Sequence, residues 1–252
     1  MDIYASFAKA YDCFFENENY NKWDEYLFRL ITDCGLSAES ILDLGCGTGR
    51  LLVLLAKRYE NTELYGIDIS SDMLMIAQSA ADENGLSVRF SNQDMEFFKM
   101  YNPVKLVISA HDCVNYLTED GSAEGCFKSV YAALQNGGAF IFDVNTAYKF
   151  ENVLDKKSFV YDAEEIFCVW ENEYDEDSKC CDFILNLFFK EKDANEMYVR
   201  ETEIHTERAY DSEWLERTLL DAGFASVRFY HEFTAEEPRA NSERIFAIAF
   251  KE

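Results

Sequence analysis

The sequence predicts an α/β fold in which a mostly parallel sheet carries helices on both faces. Three observations lead to this prediction. Short apolar runs of strand length alternate with amphipathic stretches of helix length up to about residue 145. A glycine-rich turn, Gly45-Cys46-Gly47-Thr48-Gly49, joins the first apolar run to a helix. A β-prone stretch then interrupts the alternation between about residues 159 and 210, before a last helix and two last strands.

The spacing of apolar residues and the flanking polar residues predict each element in turn. A helix over about residues 21–35 precedes the core, because its apolar side chains recur at helical spacing. Ser70 and Ser71 are candidate N-caps for a helix that Gly85 ends, and Asp211 and Gly223 bound the last helix. The predicted strands are 40–44, 63–69, 87–91, 104–110, 139–144, 227–231 and 244–250, and the other predicted helices are 50–59 and 122–135.

The β-prone stretch is predicted to be an antiparallel sheet inserted after the fifth strand. It contains three long runs separated by polar turns, and the odd positions of residues 183–189 are all apolar, as one buried face requires. We therefore predict a core formed by residues 1–146 and 211–252, with residues 1–36 as a helical cap. Residues 147–210 form the insertion, which is expected to cover the substrate as a lid.

The composition narrows the class of partner. The net charge is −25, from 48 acidic and 23 basic residues, and the longest basic run is Lys156-Lys157. A nucleic-acid backbone is bound by clustered lysine and arginine, so the charge argues against RNA or DNA and favours a small molecule. There is no signal-peptide pattern and no membrane-spanning apolar run, which predicts a cytoplasmic protein. The 8 cysteines form no Cys-x-x-Cys pair, so we expect reduced thiols and no metal site.

The spacing of the glycine-rich turn distinguishes between two kinds of nucleotide ligand. A dinucleotide-binding turn has a third glycine at the start of the helix, and Arg50 occupies that position here. Asp43 lies just before the turn, where a carboxylate repels a pyrophosphate but suits a ligand that carries an ammonium group. The turn therefore argues against a nicotinamide-dependent oxidoreductase.

Residues 42–50 resemble the first motif of the class I, Rossmann-like S-adenosylmethionine-dependent methyltransferases. Two further elements follow in the order typical of that family. Asp68 ends the second strand, where the family's acid binds both ribose hydroxyls, and Asp94 corresponds to the acid that accepts from the adenine amino group. The resemblance implies a seven-stranded sheet and S-adenosyl-L-methionine as cofactor, with S-adenosyl-L-homocysteine as its product. The cofactor-binding residues that it implies are Asp43, Gly45, Cys46, Gly47, Thr48, Gly49, Asp68, Ile69, Met73, Asp94, Met95 and Ala110.

The N-terminal sequence is similar to a narrower group. Residues 4–12 resemble the Y-x-x-F-A-x-x-Y-D opening of mostly uncharacterised bacterial methyltransferases that also carry a β-rich insertion. In such relatives, N-terminal aromatic residues fold over the cofactor. The resemblance adds Tyr11 and Trp23 to the predicted cofactor site, because an aromatic face attracts a sulfonium cation. Packing within the helical cap is the alternative role for both side chains.

Methyl transfer from a sulfonium requires alignment of the acceptor atom and removal of any proton that it carries. The candidate catalytic residues are His111 and Asp112 after the fourth strand and His205 in the insertion, with Asn115 and Tyr116 as orienting groups. The predicted activity is methyl transfer to N or O of a small molecule by a monomer or homodimer. A tRNA or rRNA methyltransferase remains an alternative, as does a non-catalytic protein that binds S-adenosylmethionine or S-adenosylhomocysteine.

Overall fold

The computed structural model describes residues 17–163, 166–191 and 197–252. Tyr11 and the N-terminal motif at residues 4–12 lie outside the described residues. In chain order the elements are α1 (Asn17–Asp33), β1 (Ser40–Leu44), α2 (Arg50–Arg58), β2 (Glu63–Asp68), α3 (Ser71–Glu83), β3 (Val88–Asn92), β4 (Val104–Ser109), a 3₁₀ turn (Cys113–Tyr116), α4 (Ser122–Ala133), β5 (Leu134–Asn145), a π-helix (Lys149–Leu154), β6 (Ser158–Asp162), β7 (Ile166–Asp175), β8 (Cys180–Lys190), β9 (Tyr198–Arg208), α5 (Ser212–Ala222), β10 (Ser226–His231) and β11 (Arg244–Phe250).

Seven strands form one sheet in the order β10-β11-β5-β4-β1-β2-β3. Only β11 runs antiparallel to its neighbours, β5 and β10, and the other pairings of this sheet are parallel. The mostly parallel sheet predicted from the sequence is therefore confirmed. The order reverses between β1 and β4, and the carboxyl ends of β1, β2, β4 and β5 meet at one edge of the sheet. In α/β folds, ligands bind in the crevice outside this edge.

Apolar layers cover both faces of the seven-stranded sheet. The largest cluster joins α4 and α5 to the sheet, with the fully buried Phe127, Phe140 and Phe142 in its interior. The cluster on the opposite face joins α1 and α2 to the sheet. Asp24 of α1 and Arg58 of α2 also form an ion pair, in which Arg58 Nε donates to Asp24 Oδ2 at 2.9 Å. Among the described residues, no helix combines the length and apolar character needed to cross a membrane.

The β-prone stretch forms a second, antiparallel sheet in the order β6-β7-β8-β9. The prediction of three runs was wrong by one strand, because the first run contains a hairpin. Ala163 N donates to Ile166 O at 3.0 Å and Ile166 N donates to Ala163 O at 3.3 Å, and these bonds divide the run into β6 and β7. The division of the chain into a core and an inserted unit stays a prediction.

Two apolar clusters pack against the second sheet, and the first of them joins it to the core. In one, Met73 of α3 packs with Ile166, Leu185 and Leu187 of β7 and β8. In the other, Phe150 and Leu154 of the π-helix pack with Cys181, Phe183 and Ala209. The two clusters border a space between the edge of the core sheet and the inner face of the second sheet.

The termini of three helices show how local chemistry sets the boundaries. Ser70 is the N-cap of α3, where its Oγ accepts from Met73 N at 3.3 Å. Asp211 occupies the N-cap position of α5, but its carboxylate accepts from Lys179 Nζ at 2.8 Å instead of capping the helix. Helix α4 ends two residues before the predicted boundary, because β5 begins at Leu134 with an irregular register against β4.

Candidate active site

A cavity of about 460 Å³ opens at the carboxyl ends of the core strands and extends to β9 of the second sheet. We call it the first cavity. It lies at the reversal of strand order, where the fold places ligand sites. Seven residues of the predicted cofactor site line it: Gly45, Gly47, Asp68, Ile69, Met73, Asp94 and Met95. The predicted site residues Asp43, Cys46, Thr48 and Ala110 are buried near its edge and do not line it, and neither does Gly49.

The glycine-rich turn is fixed by backbone hydrogen bonds and by close packing. Gly45 N and Cys46 N both donate to Ile67 O, at 2.8 and 3.0 Å, which ties the turn to the end of β2. Gly45 has a left-handed φ of 80°, and a Cβ there would lie 2.6 Å from the Cys113 Sγ atom. Glycine is therefore required at this position by its backbone conformation and by its close packing against Cys113.

The Asp68 carboxylate is positioned by two backbone amides. Its Oδ2 accepts from Gly47 N at 2.8 Å, and its Oδ1 accepts from Ser70 N at 2.8 Å. Asp68 also lines the first cavity. Two carboxylate oxygens side by side match the geometry of a pair of vicinal hydroxyl groups.

Asp43 lies under the turn and is almost completely buried. Burial, together with the nearby charge of Asp68, raises the pKa of Asp43 to about 8. The side chain is therefore neutral at pH 7 in the free protein. A ligand ammonium group placed over the turn would favour the ionised form, because an opposite charge lowers the pKa of a carboxyl group.

We expect Asp43→Asn to change how stability depends on pH. The folded-state pKa of Asp43 is raised from its ordinary value of 3.8 to about 8, so the folded chain binds the proton more tightly than the unfolded chain. Stability from this group is fully present below about pH 4 and is lost as the pH rises through about 8. The melting temperature of the variant relative to the wild type should therefore increase between pH 5 and pH 8. Asp82→Asn, on an exposed part of α3, is the control, and parallel melting curves for Asp43→Asn and wild type would contradict the prediction.

A second cavity of about 350 Å³ occupies the space between the core edge and the inner face of the second sheet. Its walls are largely aromatic, and its floor carries the charged and polar side chains. His111, Tyr116 and His205 line both cavities, so these three residues mark the boundary between them. The aromatic wall residues are Trp23, Phe159, Tyr161, Trp170, Phe183 and Phe233, and the polar lining residues beside the boundary are Lys22, Asp112, Asn145, Lys149, Glu207 and Arg244.

His111 lies in a sharp turn directly after β4. Both His111 and Asp112 have left-handed backbone conformations, with φ of 60° and 57°. Such conformations are uncommon for residues other than glycine, and they cluster at functional sites. The imidazole stacks on the Trp23 indole with ring centroids 4.3 Å apart. Burial lowers the pKa of His111 to about 4, so the ring is neutral at pH 7. Its Nε2 atom is buried and has no hydrogen-bond partner in the described part of the chain.

Asp112 belongs to a buried network of charges around Arg244. Arg244 Nη1 lies 2.7 Å from Asp112 Oδ1 and also contacts the Asp143 carboxylate, and Asp112 N donates to Asp143 Oδ2 at 3.0 Å. Burial alone would raise the pKa of Asp112, but the positive charges of Arg244 and Lys149 and the hydrogen bonds from Glu207 and Arg244 together lower it to about 2. For Asp143 burial outweighs Arg244, and its pKa rises to about 6. Asp112 is therefore the ionised partner of Arg244 at all ordinary pH values.

Glu207 of β9 joins this network as a neutral acid. Burial and the adjacent charge of Asp112 raise its pKa well above the ordinary value, and its carboxyl group hydrogen-bonds to Asp112. Asn145 Nδ2 donates to Glu207 Oε2 at 2.9 Å. His205, on the same strand, is also buried, and its Nε2 lies 3.1 Å from Glu203 Oε2. Strand β9 thus supplies one wall of polar groups to a space whose opposite wall comes from the core.

The predicted catalytic residues, Trp23 and Asn115 differ in which of the two cavities they line. All three predicted catalytic residues reach a cavity: His111 and His205 line both, and Asp112 lines the second. Trp23 lines the second cavity and not the first. Asn115 lines neither, because its Nδ2 donates to the carbonyls of Asn145 and Arg208, at 3.0 and 2.8 Å, and so links β5 to β9.

Sequence reasoning did not find Lys149, Glu207 or Arg244, which complete the polar floor of the second cavity. These residues come from the π-helix, β9 and β11, which are far apart in sequence. Arg244 opens the antiparallel strand β11, and its register with Asn145 on β5 places it beside Asp143. The one sequence feature that could have indicated Arg244 is its position as a charged residue at the beginning of an otherwise apolar strand.

Comparisons with known proteins identify the family to which the chain belongs. The family model described as a methyltransferase domain matches residues 41–138. The Bacillus subtilis (strain 168) protein named "Putative methyltransferase YqeM" is 31% identical over 250 residues, which are 99% of this chain and 97% of that protein. A solved S-adenosylmethionine-dependent methyltransferase from Clostridium acetobutylicum ATCC 824 is 29% identical, with a TM-score of 0.82 over 92% of each chain.

A more distant solved structure shares the fold alone. The sugar N-methyltransferase KedS8 from Streptoalloteichus sp ATCC 53650 has a TM-score of 0.74 at 16% identity, over 92% of this chain and 88% of that one. The strand order, the glycine-rich turn and the acid at the end of β2 define a Rossmann-like methyltransferase. The chain belongs to the class I S-adenosylmethionine-dependent methyltransferase family, and S-adenosyl-L-methionine is its cofactor.

Proposed function

We propose that the protein transfers the methyl group of S-adenosylmethionine to a nitrogen or oxygen atom of a small molecule held in the second cavity. The observation that carries the proposal is the position of His111. This buried, neutral side chain lies on the boundary between the two cavities, and its Nε2 has no hydrogen-bond partner among the described residues. A buried polar atom without a partner is costly, so it is a good recognition point for a ligand hydrogen.

The residues of the first cavity suit the cofactor. We assign the two ribose hydroxyls to Asp68, whose oxygens are already oriented by Gly47 N and Ser70 N. The Ile69 side chain is 57% exposed on the cavity lining and offers an apolar surface for the adenine ring. Asp94, beside it, supplies a carboxylate for the adenine amino group, and the neutral Asp43 under the turn supplies a site that ionises toward an ammonium group.

When bound, S-adenosylmethionine supplies an electrophilic methyl group on a sulfonium. The contribution of the protein is to align the acceptor and to exclude water. We assign to the neutral His111 imidazole the acceptance of a hydrogen bond from the N–H or O–H of the acceptor, which fixes the direction of its lone pair. His205 of β9 and Tyr116 of the 3₁₀ turn, on the same boundary, restrict the position of the acceptor. Asp112 is engaged by Arg244, so its assigned role is to hold the polar floor in place.

Three features support a small acceptor rather than a nucleic acid. The second cavity has a volume of only about 350 Å³, and the second sheet covers it as a lid. The chain carries a net charge of −25, which opposes the approach of a polyanion. The named activity of KedS8, a protein of the same fold, is methylation of a sugar nitrogen.

We expect His111→Ala to lower the rate of methyl transfer by about two orders of magnitude, because a positioned proton acceptor typically contributes a factor of this size or more. The test uses methyl-tritiated S-adenosylmethionine with the small-molecule, RNA and protein fractions of a bacterial extract. Label should enter the small-molecule fraction, and His111→Ala should remove it without changing affinity for S-adenosylhomocysteine.

His231→Ala is the matched control, because this histidine hydrogen-bonds to Ser242 through Nδ1 at 2.9 Å and lines neither cavity. It should retain activity. Label in RNA would contradict the proposed substrate class. Tight binding of S-adenosylhomocysteine with no label in any fraction would point to a non-catalytic binding protein.

A further inference from the structure

We propose that Lys149 binds a carboxylate group of the methyl acceptor, so that the substrate is a small, ring-bearing carboxylic acid. This inference rests on the proposed function, because it assigns the second cavity to the acceptor. The evidence is a difference between the charged side chains of the cavity lining. The acids and Arg244 bind one another, whereas Lys149 forms no salt bridge with a described residue.

The acidic side chains of the second cavity are already paired. Asp112 is bound to Arg244 at 2.7 Å and to the carboxyl group of Glu207. Glu207 also accepts from Asn145 Nδ2 at 2.9 Å. Arg244 in turn is occupied by Asp112 and by Asp143, which lies behind it. Each of the two lining acids and the guanidinium group therefore has a partner within hydrogen-bond distance.

Lys149 is different. Its Nζ donates to Asn145 Oδ1 at 2.8 Å, and within the described ranges no carboxylate oxygen lies within 4.0 Å of it. This is unexpected in a chain with 48 acidic and 23 basic residues. Burial, followed by the positive charge of Arg244, lowers the pKa of Lys149, although the nearby carboxyl groups of Asp112, Glu207 and Asp143 act in the opposite direction. An ammonium group in such a position is stabilised when an anion approaches it.

The backbone holds Lys149 in place. It is the first residue of the π-helix, a rare conformation that is frequent at functional sites. Lys149 N donates to Thr146 Oγ1 at 3.2 Å, and Thr146 Oγ1 donates to Ser242 O at 2.6 Å. The other end of the π-helix is buried through Phe150 and Leu154 in the cluster that anchors the second sheet. The ammonium group is therefore fixed at the cavity floor rather than carried on a free surface chain.

The shape of the cavity defines the rest of the ligand. Aromatic side chains such as Trp170 and Phe159 form the walls and favour a ring, through stacking or through C–H contacts. A single lysine at the floor neutralises a monoanion. Lys22, the third basic residue of the lining, lies at an exposed position with its Nζ 3.8 Å from the Phe233 ring centroid. A phosphate dianion would retain excess negative charge next to Asp112, so a carboxylate is the better match.

The charge of the cavity can be measured without knowing the substrate. Trp23 and Trp170 line the second cavity, so quenching of their fluorescence reports the ions that enter it. In a Trp214→Phe background, which removes the remaining tryptophan, iodide should quench more strongly than caesium despite the negative net charge. Lys149→Met should reverse this order, and Lys149→Arg should keep it. Lys156→Met is the matched control, since that lysine is exposed and paired with Asp155.

The ligand class is tested by calorimetry on protein saturated with S-adenosylhomocysteine. The probes are 4-hydroxyphenylacetate, its neutral amide, tyramine and phenyl phosphate. The acid should bind about tenfold or more tightly than the amide and tyramine, and Lys149→Met should remove the difference, because a charged hydrogen bond contributes this much. Preference for tyramine or phenyl phosphate, equal binding of all probes, or no binding of the acid would overturn the proposal. Stronger quenching by caesium in the unmodified cavity would also overturn it. Neither experiment depends on methyl transfer, so failure of the proposed function is seen separately in the tritium assay.

Discussion

Asp68→Ala is expected to reduce the affinity for S-adenosylmethionine by at least about two orders of magnitude while the chain stays folded, because charge-assisted hydrogen bonds to both ribose hydroxyls are lost. The carboxylate is oriented for this task by Gly47 N and Ser70 N before any ligand is present. Removing it also leaves the Gly47 amide without its acceptor, which loosens the glycine-rich turn. Calorimetric titration with S-adenosylhomocysteine measures the effect.

Two further measurements distinguish a loss of cofactor recognition in Asp68→Ala from a loss of folding. The circular dichroism spectrum of Asp68→Ala should match that of the wild type, because the side chain is half-buried at the edge of the sheet and outside the apolar clusters. Asp94→Ala should cost about tenfold in affinity, since Asp94 is exposed and is assigned one hydrogen bond to the adenine amino group. Affinity near that of the wild type for Asp68→Ala would refute the ribose assignment.

Arg244→Met is expected to lower the free energy of unfolding by about 3 to 5 kcal/mol, because it leaves buried carboxylates without their counter-charge. Asp112 and Asp143 both face the lost guanidinium group, and both are buried or nearly so. For a chain of this size the melting temperature should fall by roughly 10 °C. Thermal denaturation measured at several pH values gives both quantities.

The pH dependence of the stability lost in Arg244→Met identifies the cause of that loss. Without Arg244 the folded-state pKa values of Asp112 and Asp143 rise above their unfolded values, so the folded variant binds protons more tightly than the unfolded chain. The deficit relative to the wild type should therefore be smaller at pH 5 than at pH 8. Arg244→Met combined with Asp143→Asn should recover part of the lost stability, since one buried charge is removed. A deficit that is independent of pH and unaffected by Asp143→Asn would mean that lost packing, not charge, is responsible.

The first cavity could be predicted closely because its residues are local in sequence. Most of the predicted contacts lie at or just after the carboxyl end of a strand, as Gly45, Asp68 and Asp94 do, and in a parallel sheet these ends meet at one edge. The spacing of the glycines argued against a dinucleotide as the ligand of the turn. Residues such as Cys46 and Ala110, which adjoin these contacts in sequence, are buried behind the lining, because neighbouring side chains point in different directions.

The second cavity could not be predicted to the same depth. Its floor brings Asp112, Lys149, Glu207 and Arg244 together from four elements, and no spacing rule connects them. Their charge states also depend on distances that only the fold sets. Glu207 is neutral because it is buried beside Asp112, and Asp112 is ionised because Arg244 is 2.7 Å away.

The sequence by itself determined the class of fold, the cofactor and the edge of the sheet at which the cofactor site lies, because strand periodicity and a turn motif are short-range properties of the chain. The number of strands in the second sheet, the neutral state of His111 and the position of Lys149 at the second cavity were decided by the tertiary structure alone. Burial and charge pairing depend on contacts between residues a hundred or more positions apart, as in the bond between Asp143 and Arg244. The cofactor can therefore be predicted from local motifs, whereas the proposed acceptor site depends on how the second sheet packs beside the core.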